Sequence, residues 1–198
     1  MKTLLIVDVQ YDFLPGGSLG VPKGNEVIPA INAIIADYDL VLATRDFHPA
    51  DHKSFASQHK DQNPGDVVIL NGIEQVLWPD HCIQDTHGSE ISREFKLDMI
   101  NKIIYKGTNR DIDSYSAFFD NNHKTATELN SFLQQKGVKE LDITGLALNY
   151  CVKYTALDAI KLGYKANIQT SACRGIELMS GDIDRALGEL RNAGVVLI

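Results

Sequence analysis

No stretch of this chain approaches the roughly 20 consecutive apolar residues that a membrane-spanning helix needs, so no segment reads as a span. Positive charge is short as well. The 19 Lys and Arg are outnumbered by 26 Asp and Glu, giving a formal net charge of −7, and no basic cluster stands out. That balance argues against a nucleic-acid or membrane surface and for a small-molecule partner. Cysteine is scarce. Cys82, Cys151 and Cys173 are an odd number, at spacings that fit neither a disulfide scaffold nor a CxxC zinc motif, which points to a reducing cytoplasm. Internal repeats and low-complexity tracts are missing. Met1-Lys2 and the apolar run after them end in Asp8 with no small-residue cleavage site, so this stretch is expected to be a first strand rather than a secretory leader.

What is present suits one α/β domain over residues 1–198. Of these residues 44% are hydrophobic, enough for a proper core. Six short apolar runs punctuate the chain: Leu4–Val9, Leu40–Thr44, Ile103–Tyr105, Leu141–Thr144, Ala166–Gln169 and Val195–Ile198. Stretches of helical periodicity lie between most of them. Glu26–Ala36 carries apolar residues at Val27, Ile31, Ile34 and Ile35, and Ala126–Gln135 stops at Gly137 as a helix cap would. This alternation predicts a six-stranded, mainly parallel sheet covered on both faces, a three-layer α/β/α fold. The rhythm breaks at about 47–97, a polar segment rich in His, Asp, Pro and Gly; insertions that long are usually functional.

Reactive side chains gather where strands end, the edge at which open α/β sheets bind ligands. The stretch Gly145-Leu-Ala-Leu-Asn-Tyr-Cys151 brings a cysteine to the expected start of a helix, where the dipole favours thiolate; packing a helix start is the other reading. Asp8 ends the first apolar run and suits a general base or a loop anchor. Lys106 ends the third, able to neutralise two anions or to sit in solvent. Asp46, His48, His52 and His81 offer oxygen and nitrogen donors with coordination positions left open, as a catalytic zinc, manganese or iron site requires. Four of the six histidines fall between 48 and 81, although a solvated polar loop gives the same density. Phe13, Trp78 and Tyr115 could wall an aromatic substrate or simply pack. Cys82 and Cys173, without a helix-start context, are expected to be structural or incidental.

Taken together, Val7-Asp8-Val-Gln-Tyr-Asp-Phe13, Thr44-Arg-Asp46-Phe-His48-Pro, Trp78-Pro-Asp-His81-Cys82, Lys106-Gly107, Tyr115-Ser-Ala-Phe118 and Gly145–Val152 resemble the nicotinamidases of the isochorismatase-like cysteine hydrolase superfamily. The resemblance spans nearly the whole chain and implies that fold, nicotinamide hydrolysis in NAD salvage, and turnover of pyrazinamide. It implies a catalytic set of Asp8, Lys106 and Cys151, and a divalent ion, zinc before manganese or iron, on Asp46, His48 and His81. His52 is left as an outer residue or an occasional ligand. It further implies an oxyanion hole at the backbone of Ala147 and Cys151, a cis bond at Leu146–Ala147, and a ring site at Phe13, Trp78 and Tyr115. Ser171 departs from the Asp that many relatives carry. Another amide hydrolase of the superfamily, or a metal-binding redox sensor using Cys151, stays open on the sequence alone.

Overall fold

A computed structural model describes residues 1–198. Strands β1 (Thr3–Val7), β2 (Leu40–Asp46), β5 (Lys102–Lys106), β6 (Glu140–Leu146), β7 (Lys165–Arg174) and β8 (Val196–Leu197) form one sheet in the order β5-β2-β1-β6-β7-β8. All five pairings are parallel. Each strand contains or overlaps one of the six apolar runs. Parallel strands buried on both faces need no polar alternation, and β1 is wholly buried.

The pleat sends neighbouring side chains into two cores. Leu5 and Val7 join Leu42, Ile104 and Ile143 under α2 (Leu129–Gln135), α3 (Lys153–Lys161) and α4 (Asp182–Asn192). Leu4 and Ile6 join Val41 and Ala43 against α1 (Val27–Ile34). The result is three layers, helix on sheet on helix. The periodicity of Glu26–Ala36 became α1, whose buried stripe is Val27, Ile28 and Ile31, and Pro29 lies in the first turn, where a missing N–H costs little. Helix α2 ends as expected, with Gly137 at φ 70°.

Two elements escaped the sequence reading. Within the 47–97 segment, β3 (Val67–Leu70) and β4 (Ile73–Val76) form a separate antiparallel hairpin. Each is only four residues long, too short for a clear period. Helix α4 turns Ile183, Ala186, Leu187 and Leu190 to the core at helical spacing, a short amphipathic pattern that the sequence reading passed over among its charged residues. The remainder of 47–97 is irregular chain held by isolated bridges such as His48 to Ile83 and Phe55 to Trp78.

Strand order reverses beside β1, with β2 on one side and β6 on the other. The carboxyl ends of β1, β2, β5 and β6 therefore open onto one crevice, where Asp8 follows β1, Asp46 and Lys106 end β2 and β5, and the Cys151 turn follows β6.

Candidate active site

Lys106 sits at the centre of the crevice with 1% of its surface exposed. Its Nζ lies 2.9 Å from Asp8 Oδ2, 3.0 Å from Asp46 Oδ1 and 3.5 Å from Cys151 Sγ, and donates to Ser114 O at 2.9 Å. One ammonium therefore joins the three residues that the sequence grouped around the cysteine to a residue that it grouped around a metal. Burial alone would lower the Lys106 pKa, but the Asp46 and Asp8 carboxylates outweigh it and hold the amine well above its usual range. Burial would likewise raise Asp46; His48 and Lys106 outweigh that and keep its carboxyl well below the usual range. For Asp8, burial wins over Lys106 and Thr44, and the pKa is raised.

Asp8 follows β1 at φ 49°, an uncommon backbone for a non-glycine residue. Thr44 Oγ holds it there, accepting from Asp8 N at 3.0 Å and donating to Asp8 Oδ1 at 2.5 Å. Oδ2 is thereby left for Lys106.

Cys151 is 6% exposed, in a π-helical turn, Leu148–Val152, that precedes α3. The expectation of a thiolate at a helix start is corrected by this environment. Burial, with Asp8 and Asp46 nearby, pushes the thiol well above its usual range despite Lys106. The resting group is a thiol, and it needs a base. Asp8 faces the sulfur. The Leu146–Ala147 peptide is cis, and Ala147 and Cys151 share one wall of the cleft.

Asp46, His48 and His81 bring one donor atom each within 4.8 Å of the others, all buried. Backbone carbonyls fix both imidazoles. His48 Nδ1 donates to Gly107 O at 2.8 Å and His81 Nδ1 to Pro79 O at 2.7 Å, so both Nε2 atoms turn towards Asp46 Oδ2, at 3.1 and 3.7 Å. His48 Nε2 is buried without a hydrogen-bond partner. Two imidazole Nε2 atoms and a carboxylate oxygen aimed at one point fit a divalent metal ion, which would take the place of the imidazole proton. Gly107, at φ 63°, has to be glycine: a Cβ would fall 2.4 Å from His48 Cε1.

His52 stands beside His48, with ring centroids 4.3 Å apart, outside the trio with Asp46 and His81. Its Nδ1 accepts from Ser54 N at 3.2 Å and meets Ser54 Oγ at 2.7 Å, so its proton is on Nε2, facing Ile112 O at 3.4 Å. Burial pushes this imidazole down to about 4.

Phe13, Trp78 and Tyr115 all line one small, mostly apolar cleft, together with Asp46, His81 and Cys151. Trp78 Nε1 and Gln75 Nε2 both donate to Tyr115 Oη, at 3.1 and 3.0 Å. Cys82 and Cys173 are buried and unpaired, and burial drives the Cys173 thiol to about 12.

The sequence reading passed over several residues that shape this site. Gln10 donates to Asp46 O and Ser89 O and accepts from Asp46 N, each at 2.8 Å, clamping the end of β2. Its place two residues after Asp8 was the only hint. Gln75 comes from the overlooked hairpin. Asp113 lines the cleft as a buried carboxylate. Leu19, Tyr150 and Ile176 complete the apolar walls, and as ordinary hydrophobic residues they carry no signature.

The isochorismatase domain family matches residues 2–198. The nicotinamidase of Escherichia coli strain K12 is 42% identical over 202 residues, covering 99% of this chain and 93% of that protein. The solved nicotinamidase and pyrazinamidase of Acinetobacter baumanii superposes with a TM-score of 0.96 at 40% identity, covering 100% of this chain and 95% of its own. The pyrazinamidase of Pyrococcus horikoshii, solved in complex with zinc, gives a TM-score of 0.80 at 36% identity, with 100% and 98% covered. With family, relatives and fold in agreement over the full length, the chain belongs to the isochorismatase family, among its nicotinamidases.

Proposed function

We propose that this protein is a nicotinamidase, hydrolysing nicotinamide to nicotinate and ammonia in NAD salvage through a thioester on Cys151, and that it also accepts pyrazinamide. The observation that carries the reading is that Cys151, backed by the buried Lys106 and Asp8, lines the same cleft as Asp46 and His81, two of the three clustered metal donors. Residues 1–198 act as one cysteine hydrolase domain whose 47–97 segment carries much of the metal and ring site. Three unpaired cysteines support a cytoplasmic setting, and no helix is long and apolar enough to cross a membrane.

Asp8, raised by burial and oriented by Thr44, takes the Cys151 proton as the sulfur attacks the carboxamide carbon. Lys106 makes the two neighbouring anions tolerable during that transfer. The backbone N–H groups of Ala147 and Cys151 donate to the tetrahedral oxyanion, a contribution of about 3–4 kcal/mol per donor in acyl-transfer sites. Asp8 returns the proton to the departing ammonia. It then draws a proton from the water that hydrolyses the thioester, and the thiol is restored.

Asp46, His48 and His81 would hold one divalent ion, zinc first, with manganese or iron as alternatives. When bound, that ion supplies a positive coordination point for the ring nitrogen. Phe13, Trp78 and Tyr115 border the ring and fix its plane. Pyrazinamide differs by one ring nitrogen, and a site built on shape discriminates such isosteres poorly. A redox-sensing role for Cys151 is disfavoured by its burial and high pKa, since sensor thiols are accessible and acidic.

The test is product analysis by chromatography on nicotinamide and pyrazinamide, with elemental analysis of the purified protein and a chelator-treated sample. Equal amounts of acid and ammonia from both amides, and one bound ion per chain, are expected. No acid product from metal-replete protein would overturn the assignment.

A further inference from the structure

After β7 the chain passes over the substrate cleft, and Ile176 becomes one of its apolar walls beside Leu19 and Tyr150. Residues 175–180 form neither helix nor strand, so regular backbone pairing does not hold them there. Side chains do: Asp182 Oδ2 accepts from Leu178 N at 3.1 Å and from Met179 N at 2.9 Å, and Asn149 holds the end that meets the cleft. Asn149, two residues before the nucleophile and 6% exposed, pairs with the backbone of Ile176 in both directions. Its Nδ2 donates to Ile176 O at 2.7 Å, and Ile176 N donates to its Oδ1 at 3.0 Å. A flipped amide would set donor against donor, so the pair fixes its own orientation. The approach is close: a Cβ on Gly175 would sit 2.8 Å from Asn149 Oδ1. On its other side the segment is tied by Arg174 to Glu26, at 2.7 Å.

We propose that Asn149 is a positioning residue for the hydrolysis, hanging Gly175 and Ile176 on the nucleophile turn so that the cleft wall and the Cys151 sulfur move as one body. This deepens the nicotinamidase reading and rests on it for its link to turnover. The ring then lies at a fixed offset from the sulfur, because its wall and its attacker share one anchor. An amide is required, since the contact needs one donor and one acceptor side by side. An ionised carboxylate accepts from Ile176 N but turns its second oxygen against Ile176 O. A protonated carboxyl donates and accepts as the amide does.

That chemistry gives a test which a merely structural role would not pass. In N149D, the KM for nicotinamide should rise roughly tenfold over wild type at about pH 8, the scale of one lost hydrogen bond and a carboxylate turned on a carbonyl, and fall back towards wild type as the pH drops to about 5.5, because burial and the facing Ile176 carbonyl raise that carboxyl above its ordinary range. In N149A it should stay raised at every pH, with kcat falling less than KM rises. The ionisable groups around the position are Tyr150 and Cys151 in its own turn, Lys153 and Tyr154 on α3, Asp182, Arg185 and Glu189 on α4, and, on the tethered segment, Glu177 and Arg174 with its partner Glu26. Wild type measured at each pH divides out their titration. Alkylation of Cys151 by iodoacetamide, followed on its own peptide, reads the clamp without any substrate. It should speed up several-fold in N149A and in G175A, which leaves Asn149 in place. A wild type that releases no ammonia from nicotinamide would sink the functional reading and leave the alkylation result standing. An N149D KM ratio that is flat with pH, or alkylation unchanged in both N149A and G175A, would overturn the clamp.

Discussion

Replacing Lys106 with Met removes the one cation between Asp8 and Asp46 while keeping most of the side chain's volume. Both carboxylates are buried, and Lys106 meets them at 2.9 and 3.0 Å. Taking one partner from a buried ion pair costs about 3–5 kcal/mol, because the remaining charge is left without compensation. For a chain of this length that is a fall in Tm of about 6–20 °C at neutral pH. The loss depends on pH in a defined direction. In wild type, Asp46 is held below its ordinary pKa, so its stabilisation is present above the unfolded carboxyl pKa and goes only as the pH falls through its lower folded value. Lys106 is held above its ordinary pKa, so its stabilisation is complete below the unfolded amine pKa and goes only as the pH rises through the higher folded value. Neither changes between about pH 5 and 8. In the variant the two anions face each other, and the folded carboxyl pKa moves above its unfolded value. The folded variant then binds the extra proton and gains stability as the pH falls. Asp8, already raised in wild type, adds a slope of the same sign to both proteins, so the difference between them is what matters. Thermal and urea unfolding of both proteins from about pH 8 to 5 should show a gap that narrows with acid. A gap that is absent at pH 8, or constant across the range, would falsify the shared-ammonium account.

Further outcomes follow from the same geometry. In D8N, loss of the anion that faces Cys151 should lower the thiol pKa and speed alkylation at neutral pH while ammonia release collapses; slowed alkylation would contradict the electrostatics. T44V removes the hydroxyl that favours ionised Asp8, so the acidic limb of the pH profile should move to higher pH and kcat should fall roughly tenfold, as for loss of a charge-assisted hydrogen bond. H48A and H81A should each lose bound metal on elemental analysis and raise KM more than they lower kcat. A fully active, metal-free double variant would remove the ion from the account.

The sheet was legible because buried parallel strands are continuous apolar runs, and Leu4–Val9 or Leu141–Thr144 can hardly be anything else in a chain that alternates with helical periods. The reactive residues were legible because each follows such a run. Gln10, Thr44 and Gln75 were not: a buried polar residue declares itself only when its partner is known, and their partners lie 36 to 79 positions away, with Gln75 itself on an overlooked hairpin. The protonation state of Cys151 was misread for a related reason. A helix dipole can be inferred from a local pattern, whereas burial depends on the whole fold, and here burial wins.

The most direct test of the central claim, that a buried acid, amine and thiol together make Cys151 the nucleophile, is the rate of ammonia release from nicotinamide by metal-loaded wild type beside folded, metal-loaded C151A. The account predicts turnover in the first and none above background in the second. Equal rates in the two proteins would contradict it.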